Sequence, residues 1–138
     1  MFHHIIYLST ATELFKREQL TAMLEQARRN NAKDGITGLL LYKDKSFIQL
    51  IEGPEAAVDA RFNKIQADRR HYNIRLLDKT EKPHRTFKEW HMGFFDIMKE
   101  SPKPEGFVDY FAPGASLDAL IDTPDQALQL LSYFRSRS

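Results

Sequence analysis

The sequence predicts an α+β sandwich, and three observations predict it. Two consecutive runs, ITGLLLYK from Ile36 and SFIQLIEG from Ser46, are apolar at odd and even positions alike, as central strands covered on both faces must be. A β-branched and aromatic run, HHIIYLS from His3, precedes them. Two stretches with helical apolar spacing follow the first strand and the third. The resulting order, β-α-β-β-α-β-β, is the ferredoxin-like β-α-β-β-α-β arrangement with a fifth strand. Both helices lie on one sheet face, and short C-terminal helices follow.

Each element has its own signal. The first strand gives way to the polar cluster STATE at Ser9. From Arg17 to Arg29, Leu20, Leu24 and Ala27 recur at i, i+4 and i+7 and stripe one face of a helix, which Asn30, Asn31 and Gly35 then stop. KDK between the two central runs makes them a hairpin. Gly53 and Pro54 open the second helix, with Pro54 at the first helical position, where its missing N–H costs no hydrogen bond. Val58, Phe62 and Ile65 supply the buried stripe, and the helix runs out in ADRRHYN. NIRLLDKTE from Asn73 reads as the fourth strand and EWHMGFFDI from Glu89 as the fifth. KESPKPEG is a proline-containing linker. Thr123-Pro124-Asp125-Gln126 reads as a capping box, with Ala127, Leu130, Leu131 and Phe134 striping a final helix that needs the open sheet face, or a second copy, to bury against.

Composition narrows the function classes. At 138 residues the chain predicts one core, and 20 Lys and Arg against 19 Asp and Glu leave a net charge of +1, with no global field to recruit nucleic acid or an anionic membrane. The lack of Cys removes disulfides, thiol nucleophiles and thiolate metal sites and suits a reducing compartment. The apolar start is too short for a signal peptide, and no segment reaches the roughly 18 apolar residues of a membrane span, so the expectation is a soluble cytoplasmic protein. His3 and His4 point to opposite faces and no HExxH accompanies them, so no metal site is expected. No GxSxG, P-loop or GxGxxG is present.

Gln49 is the residue out of place. It shares one strand face with Phe47 and Ile51, where an unpartnered amide costs roughly 1–3 kcal/mol. In the predicted fold the first and third strands are central neighbours, so Tyr7 and Gln49 can face each other. Asn30 and Asn31 from one helix, and Lys64, Asp68, Arg70 and His71 from the end of the other, form a polar ring above them. Each piece alone has a structural reading: a core tyrosine, a helix stop, or cations near the negative pole of a helix dipole. Trp90 and Met92, taken singly, read as core.

Together these residues resemble the BLUF domain, the blue-light sensor that uses flavin. Five ordered blocks carry the resemblance over residues 3 to 95: IIYLS around Tyr7, ARRNNAKDGITGLLLY from Ala27, FIQLIEGP around Gln49, IQADRRHYN from Ile65 and RTFKEWHMGF from Arg85. The resemblance implies a flavin (FAD, FMN or riboflavin) held noncovalently between the two helices, with Tyr7 and Gln49 as the photoactive pair. It implies Asn31, with Asn30 beside it, at the flavin ring edge. Lys64, Asp68, Arg70 and His71 then line the ring, ribityl chain or phosphate, which Arg28 or Arg29 could also reach. Trp90 and Met92 become the signal relay on the fifth strand.

The chain is similar to the short stand-alone members of that family. The expected division is 1–97, a flavin-binding photosensor, and 98–138, a linker with a C-terminal helical extension. The expected action is non-enzymatic: a light-driven rearrangement of Tyr–Gln–flavin hydrogen bonds that changes a partner protein or a homo-oligomer. Two other classes stay open on the residues. One is a ferredoxin-like acyl-phosphate hydrolase using Arg70 and Asn31 on an anion, against which stand the apolar floor and the lack of a glycine-rich nest. The other is a non-photoactive ligand-binding regulatory module.

Overall fold

A computed structural model describes residues 1–88, 90–97 and 116–135. Its elements are β1 (Phe2–Ala11), α1 (Arg17–Asp34), β2 (Thr37–Lys43), β3 (Ser46–Gly53), α2 (Glu55–Ala67), β4 (His71–Lys82), β5 (Gly93–Asp96), α3 (Leu117–Leu120) and α4 (Pro124–Arg135). The sheet order is β4-β1-β3-β2-β5, the ferredoxin-like order with β5 added beside β2. Neighbours are antiparallel except β2 and β5, which run parallel. The expected fold class holds; the linker KESPKPEG lies outside the described residues.

β2 and β3 are buried at every position, as their double-sided apolar runs require. The hairpin between them turns on Asp44 and Lys45, with Asp44 at φ 53°, a left-handed conformation that Asp tolerates. Gly38 on β2 lets the strands pair closely: a Cβ there would sit 1.9 Å from the Leu50 carbonyl oxygen. Side chains alternate into two cores. Ile5, Tyr7, Leu40, Phe47 and Ile51 face α1 and α2 and pack with Leu20, Leu24, Val58 and Phe62. Ile6, Leu8, Leu39, Leu41, Ile48 and Leu50 face the other way and meet Leu117, Ile121, Ala127, Leu130, Leu131 and Phe134. The stripe of the final helix thus buries on the sheet of its own chain. The capping box forms as expected: Thr123 N–H donates to Gln126 Oε1 and Gln126 N–H to Thr123 Oγ1.

Several boundaries differ from the sequence reading, each for a local reason. Helix α1 does not stop at Asn30 and Asn31; it continues to Asp34 and ends on Gly35, whose φ of 71° is the left-handed cap. Asn31 can stay helical because its amide serves contacts outside the helix. Pro54 is the residue before the helix (φ −60°, ψ 137°) rather than its first residue. His71 is not at a helix end but begins β4, and Asp68 caps α2. Strand β5 is only Gly93–Asp96, so Trp90 and Met92 are not on it but on the segment leading in. Trp90 folds back over Gly93, where a Cβ would come 2.3 Å from the indole.

Candidate functional site

The floor of the site lies at the middle of one row across the sheet, where Tyr7, Gln49 and Leu40 line the slot. Leu76, Tyr7, Gln49, Leu40 and Phe94 are successive register partners on β4, β1, β3, β2 and β5. Above the row, α1 and α2 leave a slot of about 240 Å³, bounded by Leu24, Ala27 and Asn31 on one side and by Arg61, Ile65 and Asp68 on the other. Its base is largely apolar, with Leu40, Phe47 and Ile51 around the two polar residues.

Tyr7 and Gln49 are 3% and 8% exposed, and the Tyr7 hydroxyl donates to Gln49 Oε1. That donation fixes the amide orientation, since only its oxygen can accept. The amide nitrogen then points to the Met92 sulfur at 3.1 Å. A thioether is a weak acceptor for a group carrying two hydrogens, so the amide keeps donor capacity in the slot. Burial, reinforced by the Asp68 carboxylate, pushes the Tyr7 hydroxyl far above its ordinary pKa. The phenol therefore keeps its proton in the resting protein, with an acceptor already in place.

The rim is tied down by side chains from several elements. Asn31 is 1% exposed; its Nδ2 donates to the His91 carbonyl at 2.7 Å, and its Oδ1 accepts from Arg61. Arg61 also reaches Asp34 at 2.8 Å. His71 Nε2 donates to the Ile65 carbonyl at 2.5 Å, which in the neutral ring leaves Nδ1 to accept from the Ser9 hydroxyl at 2.9 Å. Arg70 grips Asp68 with both its side chain and its backbone N–H. Those hydrogen bonds from Arg70 hold the Asp68 carboxyl below its usual range and, reciprocally, raise Arg70.

Nine of the ten residues singled out in the sequence line the slot: Tyr7, Asn30, Asn31, Gln49, Lys64, Asp68, Arg70, His71 and Met92. Trp90 does not; it lies with the far core, stacked on Phe87 at 5.7 Å between centroids. Sequence reasoning missed Arg61 and Ser9. Arg61 shares a helical face with Lys64, Ile65 and Asp68 at i, i+3, i+4 and i+7, and Ser9 shares a strand face with Tyr7, so both periods were available as signals. The hydrolase reading needs Arg70 and Asn31 as ready anion ligands, whereas the Arg70 fork is held by Asp68 and the Asn31 amide by His91 and Arg61; a ligand in the slot meets Asn31 only through the second hydrogen of Nδ2 and the second lone pair of Oδ1.

The slot suits a flat aromatic ring system: apolar walls, polar edges, and an amide donor aimed inward. A family profile described as "BLUF: Sensors of blue-light using FAD" matches residues 2–93. Photoactivated adenylate cyclase subunit alpha of Euglena gracilis is 39% identical over 90 residues, 64% of this chain and 9% of that protein. The blue light- and temperature-regulated antirepressor BluF of Escherichia coli is 35% identical over 97 residues, 70% of this chain and 24% of that protein. The chain thus spans a small part of the length of these curated relatives. The ground-state structure of BlsA superposes with a TM-score of 0.75 at 28% identity, covering 96% of this chain and 86% of that one.

Proposed function

The chain belongs to the BLUF family, sensors of blue light using FAD, and we propose that it is a blue-light photoreceptor whose switch is the Tyr7–Gln49 hydrogen bond. The observation that carries this reading is the buried pair at the floor of the slot, with the amide held between a phenol and a thioether. Bound flavin would supply the blue absorption and, once excited, a strong oxidant. Tyr7 is the oxidisable side chain, and Gln49 Oε1 is where its proton can go. An amide has a donor end and an acceptor end, so reversing Gln49, by rotation or tautomerisation, exchanges the pattern offered to Tyr7 and to the slot. Nothing else at the floor needs to move. Asn31, with Asn30 beside it, addresses the ring edge. Lys64, Asp68, Arg70 and His71 line the ring, ribityl chain or phosphate.

Residues 1–97 are read as the sensor and 98–138 as its extension. Met92 feels the amide directly, and Trp90, next to Phe95 and through it Phe134, relays the change to α4. The output is binding to a partner protein or a change of homo-oligomer rather than catalysis. The net charge of +1 argues against nucleic acid or an anionic membrane as the target, and a cysteine-free chain suits the cytoplasm. Among the described residues no helix is long and apolar enough to cross a membrane.

The test is optical. Protein reconstituted with FAD is expected to be yellow and to show a reversible red shift under blue light. Tyr7→Phe and Gln49→Leu should each retain flavin and lose the shift; a wild-type photocycle in either variant sinks the assignment. Light and dark size-exclusion profiles, with a partner pull-down, test the output.

A further inference from the structure

Glu52 lies three residues beyond Gln49 on β3, on the opposite sheet face and fully buried. Its carboxylate accepts the backbone N–H of Thr86 at 2.8 Å and of Phe87 at 2.6 Å. Arg85 closes the same corner, donating to Thr37 Oγ1 at 2.9 Å, to the Glu52 carbonyl at 3.3 Å and to the Gly35 carbonyl at 2.7 Å. From this anchor the described residues 85–88 and 90–92 pass from the far face of the sheet to the slot side. Phe87 and Trp90 stack with the far core, and the Trp90 carbonyl accepts from Gly38 N–H at 2.7 Å. Met92 then emerges on the slot side against Gln49. On that side Arg28 holds the Met92 carbonyl at 2.8 Å. The segment is therefore a strap pinned at both ends to elements that build the slot.

We propose that Glu52 is a positioning residue for the switch: by fixing the strap to the strand that carries Gln49, it sets where the Met92 sulfur stands against the Gln49 amide. This rests on the photoreceptor reading above. A carboxylate offers two acceptor oxygens to two adjacent N–H groups, whereas an amide offers one oxygen and presents its own N–H₂ to the other. Glu52→Gln therefore keeps the shape and releases half of the anchor.

The test uses the full chain reconstituted with FAD and compares wild type, Glu52→Gln and Leu130→Ala. Leu130 is buried in the far core and takes no part in the hydrogen bonds that anchor the strap, so its variant controls for lost stability. Glu52→Gln should bind flavin, change the dark-recovery rate by about tenfold and move the Met92 resonance in methyl NMR of labelled methionine. Leu130→Ala should leave both within about twofold of wild type, equivalent to under half a kcal/mol. Recovery and a Met92 resonance unchanged in Glu52→Gln, or changed equally in Leu130→Ala, overturn the proposal. Should Glu52→Gln not fold, Arg85→Lys, which breaks the fork onto Gly35 and Thr37, must shift recovery and resonance or the proposal fails. If wild type itself shows no red shift, the photoreceptor reading falls. The Met92 resonance in flavin-free protein then decides the anchor separately: moved by Glu52→Gln it stands, unmoved it does not.

Discussion

The two faces of the sheet are built from alternate residues of the same strands and have opposite designs. On the far face Ile6, Leu8, Leu39, Leu41, Ile48 and Leu50 meet the apolar stripe of α4, and polar side chains stand at the strand ends, with His4 and Glu52 as register partners at one end and Ser46 accepting from Leu117 N–H at the other. On the near face the same strands present Tyr7 and Gln49 at the centre of a slot that α1 and α2 leave open. The far face is closed as a core is closed; the near face keeps its polar pair where a ligand can reach it. Stability should reside mainly in the first and colour in the second, joined by the strap that leads from Arg85 to Met92.

Perturbations of the far face should cost stability without changing the bound flavin. The largest effect is expected from Phe134→Ala, which leaves a cavity at a fully buried aromatic and should lower unfolding free energy by about 3–5 kcal/mol in denaturant titrations. A shifted flavin spectrum in that variant would break the division between faces. Next is acid. Burial first, then Lys82, lowers the His4 pKa from 6.5 to about 4, so the unfolded chain takes up a proton that the folded chain refuses. Stability from His4 is thus fully present above about pH 6.5 and falls by about 3 kcal/mol as the pH drops towards 4. His4→Gln should flatten that part of a pH–stability curve.

Near-face changes should do the reverse. Arg61→Ala removes the donor to Asn31 Oδ1 and should weaken flavin binding by about tenfold, read by equilibrium fluorescence titration, with little change in unfolding midpoint. The smallest effect, about 1 kcal/mol, is expected for Thr123→Ala, which removes the cap of α4. Its photocycle should match wild type, and a slowed recovery would instead put the α4 end in contact with the switch.

Much of this was legible in the sequence because it follows from strict periods. Alternation placed Tyr7 and Gln49 on one face, the ferredoxin-like order made their strands neighbours, and the register sets them directly opposite. What escaped depends on contacts between distant segments. Asn30 and Asn31 look like a helix stop, yet Asn31 stays in α1 because His91 and Arg61 engage its amide. EWHMGFFDI reads as one strand, but Arg28, Asn31 and Gly38 take up backbone carbonyls from Trp90 to Met92 and delay pairing until Gly93. Glu52 only precedes the Gly53-Pro54 helix opening in the sequence; its partners are N–H groups more than thirty residues away. No local pattern announces such an acceptor.

Trp90 is the only tryptophan in the chain, and it lies over Gly93 between Phe87 and Phe95. Ultraviolet emission selected at the indole therefore originates at one place, beside Phe95, which in turn meets Phe134 of α4. The protein carries its own fluorescent reporter there, without a label, and the missing side chain of Gly93 is what lets the indole sit close enough to record the strap.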